Sequence, residues 1–134
     1  MRRTFSILVA LVATFALAGV AVAGNAHYVG TPQIQTSGST LTVSGKIAGL
    51  GNIDQIRVVV TADAYCVNRG NKAPSAENKT SVTFQGTVPV QNGKALFSLS
   101  GTASFSPNCS PPMRVEFRNI QISVYDAATG AQLL

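Results

Sequence analysis

The chain has 134 residues, 46% of them hydrophobic and 11% charged, and ten Lys and Arg against five Asp and Glu give it a net charge of +5 at pH 7. This length supports one domain around one core and excludes two. The basic residues are scattered rather than gathered into a stripe, which excludes nucleic acid as a partner.

The first predicted element is at the N-terminus. Met1-Arg2-Arg3 precedes an uncharged run from Thr4 to Ala23 that closes on the small-x-small triplet Ala21-Val22-Ala23. A basic start, an apolar stretch and such a triplet read as a secretory signal peptide over residues 1–23. The run is also long enough for an uncleaved membrane anchor, but its Ala/Gly/Val-rich second half and the triplet favour cleavage. Arg2-Arg3 with Phe5 faintly resembles a twin-arginine signal, although the strong apolarity that follows favours the general secretory route. No cysteine follows the cleavage region, so a lipoprotein anchor is excluded. Cleavage after Ala23 leaves 111 residues with a net charge of +3 and no membrane span. The expected product is secreted, extracellular or periplasmic. It has a flexible N-terminal segment over 24–30 and a single domain over 31–134.

From residue 31 onward apolar and polar residues alternate with period two and no helical repeat is visible, so the domain is expected to be all β. Residues 32 to 50 read as two strands around Ser37-Gly38, with Ile34 and Leu41 on one face and Leu41, Val43, Gly45 and Ile47 pointing inward. After the Gly-Leu-Gly-Asn break, Ile56, Val58, Val60, Ala62, Ala64 and Cys66 share one face against Arg57, Val59, Thr61, Asp63 and Tyr65. Asn92-Gly93 suits a type I′ hairpin turn. That register sets Val90 opposite Ala95, Val88 opposite Phe97, Gly86 opposite Leu99, Phe84 opposite Gly101 and Val82 opposite Ala103. It also collects Thr83, Gln85, Thr87, Ser98, Ser100 and Thr102 on the other face. Pro89 marks its strand as lying at or near an edge. In the following strand the inward set Val115 and Phe117 slips by one to Ile120, Ile122 and Val124, which predicts a β-bulge at Arg118-Asn119. Residues 126–134 read as a turn and a short last strand. About seven strands with one inward face each predict an antiparallel, immunoglobulin-like β-sandwich, without the Cys-Trp-Cys pattern of antibody domains.

Two cysteines in an exported chain predict one disulfide. The strand directions bring Cys66 and Cys109 to the same end, so a Cys66–Cys109 bridge is geometrically reasonable. The same pole collects the loop 67–79, the segment 106–113 with its Ser-Pro-Pro, and the Ser37-Gly38 turn. A long irregular loop is either a pinned connection or a binding surface. Its candidate binding residues are Asn68, Arg69, Asn71, Lys72 and Glu77. A single carboxylate between two lysines does not suit calcium.

Other chemistry is thinly represented. His27 is the only histidine. Cleavage after Ala26 would place it at the mature N-terminus, a position that resembles the copper-binding ends of lytic polysaccharide monooxygenases and of periplasmic copper-binding β-sandwich proteins, though those families use a second histidine. Cleavage after Gly24 would expose Asn25-Ala26-His27, whose amine, amides and imidazole suit square-planar copper or nickel. Against both stands a His in an unstructured N-terminus that binds nothing. The five acids Asp54, Asp63, Glu77, Glu116 and Asp126 are dispersed, and the serines have no activating base beyond His27, so a catalytic role is not expected. The Ser/Thr face suits a polymer or ordered surface, but exposed strands favour Thr in any case. Carbohydrate platforms stack aromatics, and here the outward ones are Tyr65, Tyr125 and Tyr28. Asn78-Lys79-Thr80 and Asn108-Cys109-Ser110 match glycosylation sequons, which matter only in a glycosylating host.

At Lys46-Ile47-Ala48-Gly49-Leu50-Gly51-Asn52, in the loop from Cys66 to Thr80, and at Val88 to Ser100, the chain resembles small exported bacterial proteins of uncharacterised function that carry an Ala-Gly-Leu-Gly-Asn segment, a Cys-x-Asn loop and a second cysteine. That resemblance implies a β-sandwich and a disulfide and supplies no activity. The expectation is therefore an exported, non-catalytic binding or structural module without a cofactor. It would meet a cell-surface or extracellular ligand at the loop pole, and copper binding through His27 is the alternative.

Overall fold

Alternating apolar and polar residues force a backbone of period two to bury one face, and among the described residues seven antiparallel strands result. The computed structural model describes residues 25–68 and 78–134. The strands are β1 (His27–Tyr28), β2 (Gln33–Ser37), β3 (Thr40–Ala48), β4 (Gln55–Val67), β5 (Lys79–Pro89), β6 (Ala95–Thr102) and β7 (Arg114–Asp126). In one sheet β3 is central, with β1 and β2 along one edge and β6 along the other; in the second, β4 lies between β5 and β7.

The two inner faces share one core. Leu41, Val43 and Ile47 of β3 and Ile56, Val58 and Val60 of β4 are completely buried, with Phe97, Val82 and Val124 packed among them. Each such side chain stabilises the fold by about 1.5–3 kcal/mol relative to exposure. Leu50 and Ile53, in the connection from β3 to β4, close one end of this core. The outward residues of β4, from Arg57 to Tyr65, are half-buried, so the alternation read from the sequence is the alternation found.

The expected β5–β6 hairpin is not formed as a ladder. Asn92 and Gly93, with φ of 54° and 74°, make the turn, and Gln91 and Lys94 exchange backbone hydrogen bonds of 2.8 and 3.0 Å. Beyond that single bridge the strands part, β5 pairing with β4 and β6 with β3. Two partners of the hairpin register nevertheless meet across the interior: Gly86 lies against Leu99, and Gly101 against Phe84. A hairpin and an arch between sheets share one inward pattern, but the arch splits the expected polar face, leaving Thr83, Gln85 and Thr87 on the outer face of one sheet and Ser98, Ser100 and Thr102 on that of the other. The long β4 and β3 take the hydrogen-bonding edges instead.

Three smaller features differ or sharpen. Ser37 pairs with Thr40, so the first turn is Gly38-Ser39, one residue later than expected, with Gly38 at φ 57° supplying the positive value that the first turn position needs. His27 and Tyr28, assigned to a flexible segment, form β1 against Ala48 and Ile47, and Val29 N donates to Lys46 O at 2.8 Å. The bulge is present: Thr61 pairs with Gln121 but Asp63 with Arg118, leaving an extra residue in β7 where Asn119 turns to φ 55°. At the C-terminus Gln132 bridges to Tyr125, and Asp126 Oδ1 accepts from Ala128 N at 2.9 Å to hold the intervening turn.

Candidate functional site

The ladders gather several chain ends at one pole. Tyr65 is opposite Lys79 and Glu116, Val67 is opposite Arg114, and Ala103 N donates to Ser39 O at 2.9 Å. Cys66 faces inward at 4% exposure and is bonded to Cys109, with Cα atoms 5.7 Å apart. Its Sγ also lies 4.0 Å from Met113 Sδ. The expected bridge is therefore present, and it ties the segment before β7 to the end of β4.

Because Cys66 points in, Tyr65 points out, onto the rim of this pole. Its ring is flanked by two cations, with Arg118 Cζ 4.5 Å and Lys79 Nζ 5.5 Å from the ring centroid. Arg118 Nε donates to Glu116 Oε1 at 3.0 Å, and Arg114 Nη2 lies 4.0 Å from Glu116 Oε2. Asn119 Nδ2 donates to Asp63 Oδ2 at 2.8 Å beside them. Ion pairs this exposed contribute only about 0–1 kcal/mol. An incoming anionic group can therefore replace Glu116 on the guanidinium at little expense, while the ring keeps the cations in place. The arrangement can hold an anion. Among the described residues no group of three or more His, Cys, Asp or Glu converges where a metal ion could sit.

Of the loop residues singled out from the sequence, Asn68 is described, exposed just beyond β4. Arg69, Asn71, Lys72 and Glu77 lie outside the described residues. Sequence reasoning missed Lys79, Glu116 and Arg118 as neighbours of Tyr65. The outward direction of Tyr65 was legible, but the two registers that surround it were not.

His27 is exposed in β1, and its Nδ1 lies 2.6 Å from Asn25 O. Tyr28, expected to face outward, is half-buried against the core, and this burial raises the pKa of its phenol above the usual 10.0. Tyr125 does face outward, under Arg57 Cζ at 4.9 Å.

An open cleft of about 750 Å³ lies at the opposite pole, between Gly49–Asp54 and Val90–Lys94. It falls on the Ala-Gly-Leu-Gly-Asn and Gln-Asn-Gly-Lys segments, held together by Leu50 N to Gly93 O at 3.0 Å and Val90 N to Asp54 O at 2.9 Å. Asp54 and Lys94 are its charged lining residues.

The disulfide fits a non-reducing compartment. Among the described residues no helix is long and apolar enough to cross a membrane. Comparison with protein-family models, with curated proteins and with solved structures finds no match.

Proposed function

We propose that the chain is an exported, non-catalytic binding module of immunoglobulin-like type that engages anionic polysaccharide at the cell surface or in its surroundings through its disulfide-pinned pole. The observation that carries this reading is the Tyr65 ring with Arg118 at 4.5 Å and Lys79 at 5.5 Å on the rim of that pole. Arg114 extends the cationic rim along β7, and Asn68, Arg69, Asn71 and Lys72 continue it in sequence. Support for the immunoglobulin-like assignment comes from the strand order. β2-β3-β6 lies in one sheet and β5-β4-β7 in the other, the order of such a sandwich in which β5 joins β4 rather than β6.

Dextran sulfate, with neutral dextran as control, tests the proposal. The protein is expected to be retained on the sulfated polymer only and released by salt. Tyr65→Ala, Arg118→Gln and the combined replacement of Asn68, Arg69, Asn71 and Lys72 by Ala should each weaken retention without lowering the melting temperature. Retention unchanged in all three variants would sink the idea. Copper capture by Asn25-Ala26-His27 remains a separate proposal. Stoichiometric copper uptake lost in His27→Ala is its test.

A further inference from the structure

A sheet edge is an array of unpaired backbone donors and acceptors, and proteins block such edges with short strands, prolines, bulges, charges or a covering segment. Among the described residues, three of the four long edges are blocked in these ways. β2 has five residues and follows Pro32, β5 carries Pro89, and β7 carries the Asn119 bulge, three charged residues near its start and the Gln132 bridge at its end. β6 carries none of these devices. Its eight residues, Ala95 to Thr102, include no charge and no proline and pair with β3 along one side only.

The direction of its open hydrogen-bonding groups follows from the ladder. Ala103 N donates to Ser39 O, so this position is a hydrogen-bonded pair, and alternation makes Gly101, Leu99, Phe97 and Ala95 the residues bonded to β3. Leu96, Ser98, Ser100 and Thr102 therefore direct their N–H and C=O groups to the open side. The apolar surface next to this edge is incomplete as well. Leu96 is 73% exposed, while Phe84, Val88 and Leu99, along the seam between β5 and β6, are only partly buried.

We propose that β6 is the dimerisation edge, pairing antiparallel with β6 of a second copy about a two-fold axis at Leu99. In that register Ser98 stands opposite Ser100 of the other copy and Leu96 opposite its Thr102, so every outward-directed residue of the strand becomes a hydrogen-bonded partner. The edge is complementary to itself, as a two-fold contact requires. The uncharged strand also brings two net-positive chains together without like charges in contact. Pairing continues the sheet and covers the seam at Leu99 and Phe84.

Sedimentation velocity of the purified chain over a concentration series tests this. The wild type is expected to dimerise, and Ser98→Pro, which removes a donor facing the open side while sparing the β3 ladder, to be monomeric with its circular dichroism unchanged. A wild type that is monomeric throughout, or a folded Ser98→Pro chain that still dimerises, overturns the proposal. Because the proline variant can fail to fold, the register is also tested on the exposed face. Ser98→Lys/Ser100→Lys sets like charges opposite each other and should give monomers, whereas Ser98→Lys/Ser100→Glu sets opposite charges together and should restore the dimer. Equal behaviour of these two chains overturns the pairing.

Discussion

Gly101 of β6 faces the ring of Phe84 of β5 across the interior, with no room between them for a methyl group. The two residues belong to different sheets, and the absence of a side chain at one is what admits the ring of the other. Gly101→Ala should destabilise the fold by about 1–3 kcal/mol through overpacking. Gly86→Ala should destabilise it less, because its Cβ would meet only the Leu99 Cδ2 methyl, at 2.5 Å, at the end of a side chain that can rotate. Urea unfolding of both variants checks the ranking, and equal midpoints would contradict it.

The Cys66–Cys109 bridge spans 43 residues of sequence. Loss of that loop constraint in Cys66→Ser/Cys109→Ser should lower stability by up to about 4 kcal/mol. The expected readout is a lower denaturation midpoint, with a matching loss when the native chain is unfolded in the presence of a reductant.

Asn119 sits in the left-handed region at φ 55° and donates to Asp63 at 2.8 Å. A side chain without the amide meets the steric penalty of that region, about 1–2 kcal/mol, and also loses the hydrogen bond. Asn119→Ala should therefore be more destabilising than Asn119→Gly, which removes only the hydrogen bond. Thermal melts of the pair separate the two contributions.

Burial raises the phenol pKa of Tyr28 in the folded chain above its unfolded value of 10.0. Below that unfolded value the phenol is protonated in both states and stability is unaffected. As pH rises past it, the unfolded chain releases the proton first, and stability falls until the folded pKa is passed. Tyr28→Phe should flatten the alkaline side of the stability profile above about pH 10, measured by chemical denaturation at stepped pH.

Much of this architecture was legible because burial on one face writes a period of two into the chain. The inward sets of β3 and β4, the phase slip at Asn119 and the pairing of Cys66 with Cys109 all follow from that rule and from chain direction. The β5–β6 relation was read correctly where Gly86 meets Leu99 and Phe84 meets Gly101, and incorrectly as a ladder with one shared polar face, because the polar residues of the two strands lie on the outer faces of different sheets. Facing residues are fixed by the turn, whereas hydrogen-bonding partners are decided by which longer strands compete for the same edge. His27 and Tyr28 gave no signal because two residues show no periodicity, and β1 forms only where β3 extends past β2. The Tyr65 cluster was hidden for a related reason: its members come from three strands whose mutual registers no local pattern reveals.

The arch at Asn92-Gly93 also governs the order in which the chain can assemble. By sending β6 back to the first sheet, it makes the two sheets interlock along the sequence: β4 and β5 are synthesised between β3 and its partner β6, and β6 between β4 and its partner β7. Neither sheet can be completed by a contiguous stretch of chain, so no half of the molecule is a stable stopping point. Folding therefore proceeds through distant pairings of the kind that take milliseconds to seconds.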